Sequence, residues 1–423
     1  MTEADRHSPD ALAVAAAQGW FARSVLPPGV DTSAAVLLVG RALRGFCDGY
    51  VAVLLPAYLL GLGFSKLTVG LISSATLIGS ALATILVGFL GSRFAQRRLL
   101  ILAAVLMAAT GVGFAGLSTL WPLLVVAFVG TLNPSSGDVS VFLPLEQARL
   151  AGLAAADTRT ALFARYSLTG AFSAAVGALA AALPGWLTAH LGLPYLTSIR
   201  SMFAVYAVVG IALWALYARL PDLNAQAGPA ATPLGPSRQI VIRLALLFSV
   251  DAFAGGLVVN ALLSLWLMQR FGLSPSAAGQ FFFWAGLLTT ASQLVAVPVA
   301  RKIGLLNTMV FTHIPSSLCL IAAAFAPSLT ATLALLFVRS ALSQMDVPTR
   351  TAYVMAVVTP PERTAAASLT SVPRSLASAI GPALAGAMLA AGWTGAPLVA
   401  CGALKIVYDL AILLGFRQVK PLN

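Results

Sequence analysis

At residues 62–70 the chain reads LGFSKLTVG, and at residues 271–279 it reads FGLSPSAAG. Each stretch follows one long apolar run and opens another. Gly63, Ser65 and Gly70 match Gly272, Ser274 and Gly279 at a constant offset of 209. A second pair lies just downstream. Residues 88–98, GFLGSRFAQRR, and residues 297–304, VPVARKIG, both close an apolar run with a basic turn, and the same offset aligns Arg93 with Lys302. A third pair, RTALFARYSLTGAFSAAVG at 159–177 and RTAAASLTSVPRSLASAIG at 363–381, shares the RTA triplet and the closing glycine at an offset of 204. One short loop deletion accounts for the five-residue change. Three matches in the same order describe a duplicated unit, and hence a chain of two similar halves.

Composition says which solvent the halves fold in. Of 423 residues, 59% are hydrophobic and only 9% charged, with a mean hydropathy of +0.92. A soluble domain carries about 45–50% apolar and about 25% charged residues. The apolar runs also exceed the roughly 18 residues that mark a membrane span. The fold class is therefore an all-α polytopic membrane protein. Twelve spans of about 20 residues each are predicted, near 34–62, 66–90, 99–118, 121–148, 160–188, 195–219, 241–270, 275–300, 305–326, 328–357, 364–391 and 394–416. Breakers such as Gly61, Gly63, Pro194, Pro327 and Pro360–Pro361 separate them. The longest polar connection, PDLNAQAGPAATPLGPSRQ at 221–239, reads as a linker between six-helix halves. The expected organisation is a polar leader over 1–33, bundles over 34–220 and 241–416, a linker over 221–240, and a tail over 417–423. Fifteen Lys and Arg fall on the side of the termini, against Lys66, Arg200 and Arg270 opposite. That asymmetry predicts both termini in the cytoplasm, with the chain multi-pass in the plasma membrane.

The same residues exclude several chemistries. The net charge of +12 is scattered between apolar segments instead of forming the basic face that nucleic acid requires. Cys47, Cys319 and Cys401 are far apart and inside apolar runs, so no disulfide framework is expected. Three histidines (His7, His190, His313) form no HExxH or Cys/His cluster, so no metal is expected. Walker A, GxGxxG and GxSxG elements are missing, which argues against ATP-driven transport, catalysis and any prosthetic cofactor.

The turn after the second span carries a family resemblance. GFLGSRFAQRR is similar to the G-x-L-A-D-R-x-G-R-R-K signature of the major facilitator superfamily: Gly88, Leu90, Arg93, Arg97 and Arg98 fit, while Ser92 replaces the usual acid and Ala95 a glycine. Residues 346–367, DVPTRTAYVMAVVTPPERTAAA, also resemble members at helices ten and eleven. The resemblance implies two pseudo-symmetric six-helix bundles, with helices one, four, five, seven, ten and eleven around a central cavity. The subfamily stays open. The antiporter-type G-P-x-x-x-G element is missing from helix five, although helix eleven carries Gly381, Pro382 and Gly386. Helix four reads NPSSGDVSVFLPLEQ, without the basic motif of many proton antiporters.

A charge at mid-bilayer costs roughly 2.5–3.5 kcal/mol on insertion scales, so intramembrane charges mark partners, wet cavities or tasks. Seven basic residues fall within spans (Arg41, Arg44, Arg165, Arg339, Arg350, Arg374, Lys405), and six acids (Asp48, Asp138, Glu146, Asp251, Asp346, Asp409). Arg41, Arg44 and Asp48 share one helical face. They read either as a protonatable acid beside substrate contacts or as a self-neutralising Arg44–Asp48 pair. Asp251 has no basic neighbour within a turn and is the leading proton carrier. Asp138 follows a break at Pro134, and broken helices often build transport sites. Asp48, Asp251 and Asp138 are thus assigned to proton coupling, and Arg41, Arg44, Arg165 and Glu146 to substrate binding. Glu146–Arg165 remains an alternative structural bridge. Asp346, Arg350 and Arg374 are assigned to gating or structural ion pairs, with an Asp346–Arg374 bridge expected, and Lys405–Asp409 reads as a structural i, i+4 pair.

The function expected is secondary active transport by alternating access, as a monomer, with proton-coupled export of a cationic or amphipathic small molecule. One alternative is an organic anion or phosphate ester clamped by the arginines, since guanidinium forks suit such groups. Another is a non-transporting membrane scaffold or enzyme.

Overall fold

The computed structural model describes residue 26 and residues 30–90, 94–135, 140–154, 156–221 and 234–419. Two six-span units appear as sequential helices. The first unit holds α1 (Ser33–Gly61), α2 (Lys66–Leu90), α3 (Gln96–Gly116), α4 (Leu120–Val129), α5 (Phe142–Leu153), α6 (Ala156–Leu179), α7 (Leu183–Leu191) and α8 (Tyr195–Ala218). The second holds α9 (Arg238–Gly256), α10 (Asn260–Phe271), α11 (Pro275–Ile303), α12 (Leu305–Phe325), α13 (Leu329–Leu342), α14 (Asp346–Val357), α15 (Arg363–Ala390) and α16 (Ala396–Phe416). Nine helical stretches among the described residues are long and apolar enough to cross a membrane. The other three predicted crossings are the α4–α5 pair, the α13–α14 pair and the polar-faced α15. The fourth, seventh and tenth predicted spans are therefore not continuous helices. Each is two shorter helices, broken near Pro134, at 257–259 and at 343–345.

The duplicated glycines explain how the helices meet. Gly177 and Gly381, matched at offset 204, do the same work in the two halves. A Cβ on Gly177 would lie 2.0 Å from the Phe46 carbonyl on α1, and one on Gly381 would lie 2.3 Å from the Gly256 carbonyl carbon on α9. Only a missing side chain lets the fifth helix of each half seat on the first, the small-residue packing expected where lipid offers no hydrophobic drive. Gly70 and Gly279, matched at offset 209, instead join the halves. Their Cβ atoms would lie 2.3 Å from Pro382 O on α15 and 2.3 Å from Ala178 O on α6.

These inter-half contacts sit on the side away from the chain's entry into α1, here the far side. Three hydrogen bonds reinforce them: Ala383 N–H to Ser74 Oγ (2.9 Å), Ser264 Oγ to Val53 O (3.4 Å) and Ala261 N–H to Pro134 O (3.0 Å). Large apolar side chains such as Leu102, Val112, Trp121, Val208, Leu246 and Leu414 remain exposed on the outer faces, as a lipid-facing surface requires.

Candidate functional site

Between the halves lies a cavity of about 760 Å³, within the range of small-molecule sites. The far-side contacts close it, and its lining extends along α2, α5, α11 and α15 toward the near side. Both halves contribute polar groups. Arg41 and Gln147 come from the first; the second brings Asn260, Gln293, Gln344 and most of the charge. Phe281 and Phe282 of α11 line it, whereas Trp284 of the same aromatic run is 57% exposed on the outer surface.

Five cations line the cavity (Arg41, Arg339, Arg350, Arg374, Lys405) against two carboxylates, Asp251 and Asp346. Both acids are engaged by protein cations. Asp251 Oδ2 accepts from Arg350 Nη1 at 3.1 Å, and its Oδ1 from Lys405 Nζ at 2.6 Å. Arg350 Nη1 also donates to Asp346 Oδ2 at 3.0 Å, an i, i+4 pair along α14. Arg374 and Arg339 differ from these: neither guanidinium has a hydrogen-bonded or ion-paired partner among the described residues, and Arg374 Nε is buried without an acceptor.

The network continues outward to helices expected to be peripheral. Lys405 on α16 lies 3.3 Å from His313 Nε2 on α12, and His313 Nδ1 lies 3.0 Å from Asp409 Oδ1. The expected Lys405–Asp409 pair does not form: α16 turns Lys405 toward α9 and Asp409 toward α12, so neighbouring helices and not the i, i+4 spacing decide the partners. The Asp346–Arg374 bridge does not form either, because Arg350, one turn from Asp346 on the same helix, takes that carboxylate. His313 was not singled out by its sequence context, where it stands alone in an apolar run.

In the first half a separate cluster forms off the cavity. Glu146 on α5 is fully buried and accepts from Arg44 on α1, Tyr166 on α6 and Tyr217 on α8. The Arg44 guanidinium also lies 4.3 Å over the Phe142 ring. Neither Arg44 nor Glu146 lines the cavity; Arg41, one turn earlier on α1, does. Asp48 is buried on α1, and Arg165 lies on α6. Asp138 and Arg93 fall outside the described residues. Of the remaining loop-signature residues, Gly88 ends the apolar part of α2, Arg97 donates to Ala218 O at 2.7 Å and so ties the turn to the end of α8, and Arg98 is exposed. No group of three or more His, Cys, Asp or Glu side chains among the described residues is placed to hold a metal.

The profile described as Major Facilitator Superfamily matches residues 37–264 and 244–422. An uncharacterized membrane protein of Saccharomyces cerevisiae is 22% identical over 413 residues, 89% of this chain and 92% of its own. Among solved structures, a variant of the nucleoside transporter NupG superposes with a TM-score of 0.72 at 14% identity, covering 91% of this chain and 100% of that one. A D-xylose-proton symporter does so with 0.71 at 17% identity, covering 92% and 97%. At these identities the likeness is one of fold.

Proposed function

The chain belongs to the Major Facilitator Superfamily, and from that premise we propose that it is a proton-coupled secondary active transporter of small organic anions, working by alternating access between its two halves. Membrane transport is the common activity of its relatives; the substrate class is our reading of the cavity. The observation that carries it is the pair Arg339 and Arg374, two cavity guanidiniums without protein partners. A guanidinium left without water or an anion in a low-dielectric site is costly. Its planar fork is matched to carboxylate or phosphate. Export of a cation finds less support, because Asp251 and Asp346 already accept from Arg350 and Lys405. Protons are the proposed coupling ion, with Asp251 in the cavity wall and Asp48 and Asp138 as further candidates of the first half.

With both termini in the cytoplasm of a plasma membrane, the orientation expected from the loop charges, this state exposes the cavity to the cytoplasm. The far-side contacts would open and the near side close to complete the cycle.

The test uses purified protein in proteoliposomes with an imposed pH gradient and a trapped pH dye. Panels of organic anions (monocarboxylates, dicarboxylates, phosphate esters) and of lipophilic cations are added. Substrate-dependent proton movement with anions alone supports the proposal. Movement with cations alone overturns it in favour of drug-type export.

A further inference from the structure

We propose that His313 is the proton-binding group of this transporter, and that its protonation displaces Lys405 from Asp251 into the cavity, so that one proton and one monoanion are carried together. The inference rests on the anion reading above and adds to it the site of the proton, the direction of coupling and the charge moved.

The argument begins with donors and acceptors. A lysine ammonium has three donors and no acceptor. At 3.3 Å from Lys405 Nζ, His313 Nε2 must therefore accept, which leaves its proton on Nδ1. That proton points at Asp409 Oδ1, 3.0 Å away. The ring is thus neutral in this state, with both nitrogens occupied. A second proton can enter only at Nε2, and there it replaces a hydrogen bond by a like-charge contact with Lys405. The protonated ring has an acceptor within a small shift, since Nε2 lies 3.9 Å from Asp251 Oδ1, the oxygen that Lys405 holds at 2.6 Å. His313 and Lys405 compete for one carboxylate oxygen. Lys405 lines the cavity and is the more exposed of the two, at 14% against 4%, so it is the group free to leave. The added positive charge then appears in the cavity as an unpaired ammonium beside Arg339 and Arg374, where an anion neutralises it.

The charged surroundings of His313 fit this role. Lys405, Tyr408 and Asp409 face it from α16, and Asp251 from α9. Asp346 and Arg350 on α14 are connected through Asp251, Arg339 on α13 packs beside α12, and Arg374 on α15 lies across the cavity. The charges of α11, Arg301 and Lys302, lie at its end. Asp409 is fully buried and supports a positive ring, while Lys405 opposes one. A group balanced between the two is suited to gain and lose a proton as its surroundings change.

The test has two arms. The full chain, labelled with 15N-histidine and placed in nanodiscs, is followed by NMR from pH 8.5 to pH 5, and His313→Gln assigns the ring among only three histidines. We expect the Nδ1–H neutral tautomer at high pH and a doubly protonated ring at low pH. Lys405→Gln should move that transition to higher pH by about one unit or more, because a like charge is removed. A ring that stays in one state throughout, or a transition that Lys405→Gln leaves in place, overturns the inference. The second arm uses proteoliposomes and the anion panel. Wild type should accumulate anion under an inward pH gradient at a rate insensitive to a valinomycin-set potential. His313→Gln should lose gradient-driven accumulation at least tenfold yet keep anion–anion exchange. Coupled accumulation within twofold of wild type in His313→Gln overturns the inference alone. If no anion moves in wild type, the anion reading fails, and the NMR arm still decides the proton site.

Discussion

The carboxylate of Glu146 accepts the guanidinium of Arg44 inside the first half, away from the cavity wall. With Tyr166 and Tyr217 on the same carboxylate, four of the half's helices (α1, α5, α6 and α8) converge on one acid. Removing one partner of a buried ion pair costs about 3–5 kcal/mol, whereas replacing both by apolar groups is often neutral. Glu146→Gln is therefore expected to lower the thermal midpoint of the purified protein markedly, and Arg44→Met with Glu146→Leu to restore much of it. Differential scanning fluorimetry on both variants, with transport per folded molecule, separates the readings. Unchanged thermal stability with lost transport would return the pair to the substrate path.

Arg374 and Arg339 carry the anion reading, and the conservative change tests each. Lysine keeps the charge but not the fork. A hydrogen bond to a charged group is worth about 1.5–3 kcal/mol, so Arg374→Lys should weaken anion transport about tenfold or more, chiefly as a raised KM. Arg339→Lys should do the same. Equal transport by wild type and both variants, measured with the same anion, would remove the two arginines from the site.

The two-half architecture was legible because it rests on run length and on glycines that cannot be replaced where backbones touch. Gly177 and Gly381 recur at one offset since each half needs the same crossing. The breaks were less legible. Pro134 announces one, but the break at 257–259 follows Gly255 and Gly256 without a proline. Charge partners were the least legible. Spacing along one helix tells which side chains share a face, not which neighbour the face meets. Lys405 and Asp409 share a face and go to Asp251 and His313. His313 itself had no local signal, because its role depends on residues 62 to 96 positions away in the chain.

The far-side seal gives a population test. A Cβ on Gly386 would lie 2.9 Å from the Gly70 Cα, and overpacking of this kind costs about 1–3 kcal/mol. The strain exists only while the far side is closed, so Gly386→Val should shift the balance toward the far-side-open state by about fivefold or more. A single reporter cysteine at Thr289, which lines the cavity, should then react faster with an impermeant maleimide added from the far side. Unchanged labelling would mean that the crossing does not separate the two states.

The last prediction concerns pH at the near side, where Glu362 joins the end of the linker to the turn before α15. Its carboxylate accepts from the Gly235 and Ser237 backbone N–H groups and from Thr359 Oγ1, the last at 2.6 Å. Hydrogen bonds from Ser237, Thr359 and Gly235 favour the charged form and hold the carboxyl at about 2, against an ordinary 4.5. A carboxyl lowered on folding stabilises the fold fully above its ordinary value, and that contribution is lost as pH falls through the folded value. Glu362→Gln should therefore lower the thermal midpoint by a constant amount between pH 8 and about pH 5, and the gap should close as pH drops toward 2. Because this latch keeps its charge throughout the physiological range, it should leave the pH dependence of transport unmoved. Thermal melts in detergent over pH 3–8, beside transport at pH 6 and pH 8, check both halves of the claim. A gap that widens on acidification, or an altered ratio of transport at the two pH values, would show that Glu362 titrates within the transport cycle.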